Sequence, residues 1–479
     1  MGRDPGGDID ITQVDSGQLQ ALREEGRLTA RDLLVASMAR IEASRVNAVR
    51  VVNPDAWAMA EASDDRQRRG ALLGPLDGIP VLVKDNIDTK DQMPTTAGSV
   101  ALEGSRASAD AFLVRRLRRS GAVLVGKANL TEWANWMADH MPNGYSSLGG
   151  QVLNPYGPGR CDVGGSSSGS GAGVAAGVAT LAVGTETSGS ILSPASSNGI
   201  VGVKPTVGLI SRQGIVPISW SQDTAGAMAR TVADAAHLLQ VLAGRDRGDR
   251  VTWTQPAVPR YAAALQAEAL VGSRLGVPRR GYWDRLTGER RAAADRALAA
   301  AERLGATLVD VDLPTWSELP AMDVLRYEFK PAINAYLGRR RNAHVHSLTE
   351  LIRFNQAHAG RALAYGQAVL LASEGTRGDL TEAAYWTARR DDVRRSREAG
   401  IDRALEEHGL QALVFAGAMG AGIAAKAGYP SVTVPAGYTA DGDPVGLTFT
   451  GTAWTEAALL ALAFAYEQGT GARVAPPWA

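Results

Sequence analysis

The chain has 479 residues, with 50 Lys and Arg against 50 Asp and Glu and a single cysteine, Cys161. Its zero net charge argues against a nucleic-acid-binding protein and a basic membrane-surface protein, because both need a field of one sign. One cysteine excludes an intramolecular disulfide framework and any zinc site built from several cysteines.

The first part of the chain predicts two helices and two buried strands. The helices fall within residues 12–45, and Ser16 is a candidate cap for the first. Apolar runs at 78–84 and 121–126 predict strands, with a helix over 110–120 between them. Because neither run alternates apolar and polar residues, the pattern indicates a sheet covered on both faces.

The second part predicts further strands and helices in alternation. Residues 245–330 predict a smaller α/β lobe, and residues 331–410 predict a helical insert near the substrate side. The elements predicted from 274 onward are strands at 274–277, 307–311, 412–415 and 431–435, and helices at 289–304 and 456–467. We expect one large α/β domain with a mixed, mainly parallel twisted sheet covered by helices on both faces.

The segment 163–203 is unusual in composition. Its 41 residues include ten glycines, nine serines and one charged residue, Glu186. Its first 23 residues are uncharged and long enough to cross a bilayer, but their Gly, Ser, Ala and Val content favours a buried loop and helix instead. Buried polar groups need hydrogen bonds, so the segment predicts hydroxyls and amides organised against each other. A purely structural Gly/Ser turn followed by a closely packed Ala/Gly helix fits the same composition.

Two general kinds of site fit this segment poorly. A Gly/Ser loop leading into a helix over 174–183 would hold an anion at the helix N-terminus, but the Gly-Lys-Ser/Thr ending of a phosphate loop is missing. Residues 165–169 match the G-x-S-x-G pattern of a nucleophile elbow. That elbow follows an apolar strand, whereas residues 154–162 are rich in turn formers and charge.

A set of motifs resembles the amidase signature family. The motifs are Gly78-Ile79-Pro80 leading to Lys84-Asp85-Asn86, Gly164-Gly165-Ser166-Ser167-Ser168-Gly169-Ser170, Gly184-Thr185-Glu186-Thr187-Ser188-Gly189-Ser190, and Gly202-Val203-Lys204-Pro205-Thr206. With the stretches at 95–99, 132–135 and 218–226, the chain is most similar to the peptide amidases. The resemblance implies a single amidase domain over 1–479, with residues 78–226 as its signature core.

The resemblance also implies a Ser–Ser–Lys triad. Ser190 is the implied nucleophile, Ser166 the bridging serine with a cis peptide bond, and Lys84 the terminal base. The implied oxyanion hole is made by the backbone amides of Thr187, Ser188, Gly189 and Ser190. A lysine acts as a base only when neutral, and burial lowers its pKa. We therefore expect Asp85 and Asp88 to point away from Lys84, and Glu186 to accept hydrogen bonds from neighbouring amides.

Other residues are assigned to the pocket or the core. The candidate substrate-pocket residues are Tyr145, Ser167, Trp220 and Asp223. Trp133 is expected in the core. His344 and His346 lack a third ligand, so we expect no metal site, and the implied chemistry needs no organic cofactor. Ser188, Leu192 and Ala227 depart from the residues usual in the family, which puts the substrate rather than the chemistry in question.

The resemblance implies a serine hydrolase that cleaves carboxamide C–N bonds. The substrates we expect are C-terminal amides of peptides or peptide-like small molecules, with ammonia released through an acyl-Ser190 intermediate. Three alternatives stay open: an amide-forming or acyl-transfer enzyme, the glutaminase component of a tRNA-dependent amidotransferase, and a non-catalytic binding protein on the same scaffold. We expect no nucleic-acid or membrane partner, a monomer or homodimer, and a cytoplasmic location, since the N-terminus has no apolar stretch resembling a signal peptide.

Overall fold

A large central sheet organises the chain in the computed structural model, which describes residues 3–4, 7–10, 13–315, 317–319 and 322–477. The strands are β1 (Arg3–Asp4), β2 (Gly7–Asp10), β3 (Val49–Val52), β4 (Pro80–Lys84), β5 (Val123–Ala128), β6 (Tyr145–Ser146), β7 (Gly150–Gln151), β8 (Leu181–Glu186), β9 (Val201–Lys204), β10 (Thr224–Ala229), β11 (Arg274–Pro278), β12 (Thr307–Val311), β13 (Ala412–Ala416), β14 (Ser431–Tyr438) and β15 (Pro444–Thr450).

Eleven of these strands form one sheet within the described residues, in the order β12-β11-β13-β15-β14-β9-β10-β8-β4-β5-β3. Its parallel pairs fall in two blocks, β12-β11-β13 and β8-β4-β5, and antiparallel strands fill the rest. The predicted mixed sheet is confirmed, with parallel pairing in four of its ten neighbour pairs. β11 and β12 from the predicted smaller lobe extend this same sheet at one edge.

Helices cover both faces of the sheet. They are α1 (Ser16–Glu24), α2 (Ala30–Ala43), α3 (Ala56–Arg68), α4 (Phe112–Arg119), α5 (Ser168–Ala175), α6 (Leu192–Ser197), α7 (Val232–Leu242), α8 (Gly288–Arg303), α9 (Asp323–Leu337), α10 (Leu348–Ala357), α11 (Ala359–Ala362), α12 (Ala368–Glu374), α13 (Ala383–Val393), α14 (Asp402–His408), α15 (Ala421–Ala427) and α16 (Glu456–Thr470). No helix of the described residues is long and apolar enough to cross a membrane.

Alternate residues of β4 show how the two faces are filled. Val81 and Val83 pack in one core with residues of α1, α4, α7, α8 and α16, whereas Leu82 packs in a second core with α2, α3, α5 and α6. Both kinds of position are apolar because the strand is buried on both sides, which explains the continuous apolar run in the sequence. Lys84 therefore lies on the same face as Leu82, the face of α5 and α6.

A third core joins the helical region to the signature segment. Residues of α9, α10 and α12 pack around Trp133 and Trp136, both of which are buried. The expectation that Trp133 belongs to the core is confirmed. The limits of the predicted lobe and insert stay a prediction.

The glycines of α5 let this helix lie close to the sheet. A Cβ at Gly169 would lie 2.6 Å from the Asn129 nitrogen, and one at Gly173 would lie 2.8 Å from Leu82 Cδ1. Both distances are shorter than van der Waals contact, so larger residues would push the helix away. The close packing holds the serine-rich loop that precedes α5 against the ends of β4 and β8.

Two local predictions are wrong. Asp15 rather than Ser16 caps α1, since its carboxylate accepts a hydrogen bond from Gln18 N at 2.8 Å, while Ser16 N donates to Asp234 at 2.9 Å.

The helix predicted over 174–183 is the end of α5, a turn and the start of β8. Gly177 adopts a left-handed conformation with φ of 72°, which ends the helix there.

Candidate active site

Lys84 is the last residue of β4, and its side chain is fully buried. Its Nζ donates hydrogen bonds to Ser166 Oγ at 2.7 Å, to Thr185 Oγ1 at 2.9 Å and to the Thr185 carbonyl at 3.3 Å. Burial lowers the pKa of Lys84 to about 7, although the negative charges of Glu186 and Asp223 oppose the shift. Near neutral pH a large part of this amine is therefore unprotonated and able to accept a proton.

The carboxylates next to Lys84 in sequence are turned toward other partners. Asp85 pairs with Arg50 and accepts from Thr96, and Asp88 accepts hydrogen bonds from Arg340 and Tyr336, each at 2.8 Å. The expectation that both aspartates point away from Lys84 is confirmed. Because neither carboxylate contacts the amine, neither holds it in its charged form.

The serine-rich loop is organised by its own hydroxyls, as its composition predicts. The Gly165–Ser166 peptide bond is cis. Ser168 Oγ donates to the Gly164 carbonyl at 2.6 Å. The Ser167 hydroxyl donates to the Thr185 carbonyl at 3.1 Å and accepts from the Thr185 amide at 3.2 Å. These bonds fasten the loop to the end of β8, beside Lys84.

Ser190 lies against this loop through its backbone. Its carbonyl accepts from Ser167 N at 3.1 Å, although 23 residues separate the two in sequence. Ser190 is buried, with 8% of its surface exposed. The structure thus brings together the three segments that carry Lys84, Ser166 and Ser190.

The residues before Ser190 form a loop with unused amides. The Gly189 carbonyl accepts from Ser193 N at 2.7 Å, and Gly189 has a φ of 85°, which glycine adopts readily. Within the described part of the chain, the amides of residues 187–190 donate to no protein acceptor. Backbone amides without a protein acceptor are the kind of donor that a negatively charged oxygen needs.

Glu186 fixes the other side of the same loop. Its Oε2 accepts hydrogen bonds from the amides of Ile191 at 2.8 Å and Leu192 at 3.1 Å, and the residue is buried. The prediction that Glu186 accepts from neighbouring amides is confirmed. Since it holds the two amides that follow Ser190, it restricts the position of the loop.

Asp223 links the loop to the segment 218–223. Its Oδ1 accepts from Thr187 Oγ1 at 2.5 Å, and its Oδ2 accepts from the amides of Ile218 and Ser219, each at 2.8 Å. Burial raises the pKa of Asp223 to about 6, and these hydrogen bonds oppose the shift. The segment carries Trp220, which is 43% exposed.

A cavity of about 430 Å³ lies beside this segment. Its lining includes residues 185–187, Asp223, Trp220 and Tyr336 of α9. Two of the four predicted pocket residues, Trp220 and Asp223, therefore line it. The buried Ser167 hydroxyl is hydrogen-bonded to the Thr185 carbonyl. The Tyr145 ring packs edge-on against Tyr365, with 4.9 Å between the ring centroids.

Sequence reasoning missed three polar residues of the site. Thr185 accepts from both Lys84 and Asn86 through Oγ1, with the Asn86 contact at 2.9 Å. Asn86 and Thr185 both lie inside the signature motifs, close in sequence to Lys84 and to Glu186. That position is the signal that could have identified them. Glu328 of α9 accepts from Ser219 Oγ at 2.5 Å and from Ser221 N at 2.9 Å. Nothing in the local sequence connects it with a loop more than 100 residues away.

Replacing Glu328 with alanine is expected to loosen the 218–223 segment. The buried carboxylate also accepts from Tyr385 OH at 2.8 Å, so its loss leaves several buried donors without an acceptor. We expect unfolding free energy to fall by about 2–4 kcal/mol, measured by urea denaturation. The control is Glu103→Ala, which removes a solvent-exposed pair with Arg361. Equal losses for both variants would contradict the role given to Glu328.

The chain matches the Amidase family over residues 32–419. It is 45% identical to the peptide amidase from Stenotrophomonas maltophilia, whose crystal structure superposes with a TM-score of 0.92 over 97% of this chain and 99% of that one. It is 38% identical to a protein of Arabidopsis thaliana named "Probable amidase", over 97% of this chain and 92% of the relative. It is also 35% identical to a glutamyl-tRNA(Gln) amidotransferase subunit of Chloroflexus aggregans, over 93% of this chain and 94% of that relative.

Proposed function

This chain belongs to the amidase signature family and is an amidase, and on that premise we propose that it hydrolyses the C-terminal amides of peptides or peptide-like compounds. The products are ammonia and the free carboxylic acid. The observation that carries the proposal is the buried Lys84 amine, which contacts Ser166 Oγ at 2.7 Å. The likeness to the Stenotrophomonas peptide amidase supports the substrate class.

In the proposed reaction, Ser190 is the nucleophile and Lys84 the base. Neutral Lys84 takes the proton of Ser166 while Ser166 takes that of Ser190, and Ser190 Oγ bonds to the amide carbon. The hydroxyl of serine is a weak nucleophile until a base removes its proton, so this relay is required. The bond from carbon to the amide nitrogen then breaks, and the proton held by Lys84 returns through Ser166 to the departing ammonia.

The tetrahedral intermediate carries a negative oxygen that needs hydrogen-bond donors. The amides of residues 187–190 are the proposed donors, because none of them is used within the described chain. A lost donor in such a site costs about 3 kcal/mol of transition-state stabilisation. Water then attacks the acyl-Ser190 ester by the same relay, and the acid is released.

The proposal is tested by ammonia release from amidated dipeptides. We expect equal amounts of ammonia and free-acid dipeptide, with the internal peptide bond intact, and no reaction of the same dipeptides with a free carboxylate. Added hydroxylamine tests the acyl-enzyme, because it should give a hydroxamate at the expense of the acid. Absence of ammonia from a panel of amidated dipeptides would contradict the proposed substrate class.

A second candidate function is the glutaminase component of a tRNA-dependent amidotransferase. The observation in its favour is the 35% identity to the amidotransferase subunit of Chloroflexus aggregans over 93% of this chain. The two functions differ in substrate, since a glutaminase releases ammonia from free glutamine. Faster ammonia release from glutamine than from any amidated dipeptide would favour this second candidate.

A further inference from the structure

Lys84 shares its face of the sheet with a second buried lysine. Lys204 ends β9 and is fully buried. Among the described residues its Nζ has no hydrogen-bond partner, in contrast to the buried Lys127, whose Nζ donates to the Ile87 carbonyl at 2.5 Å and to Thr95 Oγ1 at 2.8 Å. A buried ammonium without a hydrogen bond needs a charge nearby to offset its desolvation.

The strand register places the two lysines in one row across the sheet. β4 and β8 are paired at Val83 and Val183, so the next residues, Lys84 and Gly184, stand opposite each other. Gly184 is paired with Gly226 of β10. The β9–β10 pairing, continued by one residue, sets Gly226 opposite Lys204.

The two glycines between the lysines let other segments of the site pack closely against this row. A Cβ at Gly184 would lie 2.9 Å from Ser167 Oγ, and one at Gly226 would lie 2.8 Å from Ile191 Cδ1. The space above both glycines is thus occupied by the serine loop and by the segment that follows Ser190. The two positions between Lys84 and Lys204 in this row carry no side chain of their own.

Glu186 lies on the same face, two residues beyond Gly184 along β8. Its Oε2 holds the amides of Ile191 and Leu192, but its Oε1 is buried without a hydrogen-bond partner in the described part of the chain. A carboxylate oxygen and an amine, each without a hydrogen-bond partner among the described residues, are therefore buried on one face of β8 and β9, which are separated by β10. They form no direct ion pair in the described part of the chain, so their opposite charges compensate each other across a longer distance.

We propose that Lys204 is the counter-ion of Glu186 and, through it, a positioning residue that keeps the Lys84 amine neutral and able to act as a base. This inference rests on the proposed function of Lys84. The positive charge of Lys204 offsets the negative charge of Glu186, which would otherwise favour the protonated, inactive form of Lys84.

The charged groups around both lysines fit this arrangement. Lys84 interacts electrostatically with Glu186 and Asp223. Lys204 interacts in the same way with Glu186 and with Glu456 of α16, whose Oε1 also accepts from Thr206 N at 2.7 Å. Burial lowers the pKa of Lys204 to about 8 and that of Lys84 to about 7. The pKa of Lys204 is thus lowered less than that of Lys84, which favours the charged form of Lys204 over the charged form of Lys84.

The test is the pH profile of kcat/KM for an amidated dipeptide with the Lys204→Met variant. Removing the positive charge leaves Glu186 uncompensated, which raises the pKa of Lys84. The acid limb of this profile is the pH range in which kcat/KM falls as the pH is lowered. We expect it to move up by about one pH unit, which gives about tenfold lower kcat/KM below pH 7 and a change of only a few-fold on the alkaline plateau. Lys204→Arg keeps the charge and is expected to keep the wild-type limb.

Lys127→Met is the matched control. It also removes a fully buried lysine, but Lys127 is paired with Val83 and so lies on the opposite face from Lys84. We expect this variant to lose stability without moving the acid limb. An unshifted limb in Lys204→Met, or an equal shift in Lys127→Met, would overturn the inference.

Glu186→Gln supplies a test that does not depend on the folding of Lys204→Met. Removing the carboxylate charge is expected to move the acid limb to lower pH, since Glu186 raises the pKa of Lys84. Adding Lys204→Met to Glu186→Gln should then give no upward shift. A limb unmoved by Glu186→Gln contradicts the inference, whereas a wild-type protein without amidase activity contradicts the proposed function itself.

Discussion

Replacing Ser190 with alanine is expected to lower kcat for an amidated dipeptide by roughly three to six orders of magnitude. The variant keeps Lys84, Ser166 and the free amides of residues 187–190, so substrate binding should change little. What it loses is the oxygen that forms the acyl-enzyme. Ammonia release under steady-state conditions measures the effect, and a thermal melt close to that of the wild type shows that the fold is retained.

Ser193→Ala is the matched control for this experiment. Ser193 follows Ser190 by three residues and contributes its backbone amide to the Gly189 carbonyl at 2.7 Å, a bond that alanine keeps. We expect its activity to stay within a few-fold of the wild type. A fluorophosphonate probe should label the wild type and Ser193→Ala but not Ser190→Ala. Labelling of Ser190→Ala at another serine, with activity retained, would show that the nucleophile has been assigned wrongly.

The sequence carried enough information to predict the centre of the site. Lys84 ends a run of residues that are apolar on both faces, so its burial follows from the pattern that predicts β4. Residues 163–203 contain almost no charge, and their serine hydroxyls bind the backbone of the loop and of β8. Both features are local in sequence and depend on burial alone.

Other features depend on contacts between distant segments and could not be predicted. Glu328 binds the 218–223 segment from a helix more than 100 residues away, and its own sequence context resembles any amphipathic helix. The place of Lys204 in one row with Lys84 follows from strand order, since β9 reaches β8 only through β10. Strand order is decided by how the whole sheet assembles.

The predicted boundaries of the helix now seen as α5 are wrong for a related reason. Its helix includes three glycines, which propensity alone would place in a loop. Close packing against Asn129 and Leu82 requires glycine at two of these positions, so the tertiary contact outweighs the cost. The residues after Gly177 instead form a turn and, from Leu181, the buried strand β8.

The rate of amide hydrolysis is expected to depend on pH through Lys84. Because burial lowers the pKa of Lys84 to about 7, kcat/KM should fall about tenfold for each pH unit below that value and level off above it. The sign follows from the chemistry, since protonation of the amine at lower pH removes the base. Lys84→Ala should lower kcat/KM roughly 10²- to 10⁴-fold at the plateau.

Asp223 is another group near the site that titrates in this range, with a pKa of about 6, so its contribution must be separated from that of Lys84. Asp223→Asn removes a negative charge that favours protonated Lys84, and the acid limb should therefore move to lower pH while keeping its tenfold slope. If Asp223 itself were the titrating base, the same variant would lose the limb altogether. Loss of the acid limb in Asp223→Asn, or an unchanged acid limb in Lys84→Ala, would show that Lys84 is not the base.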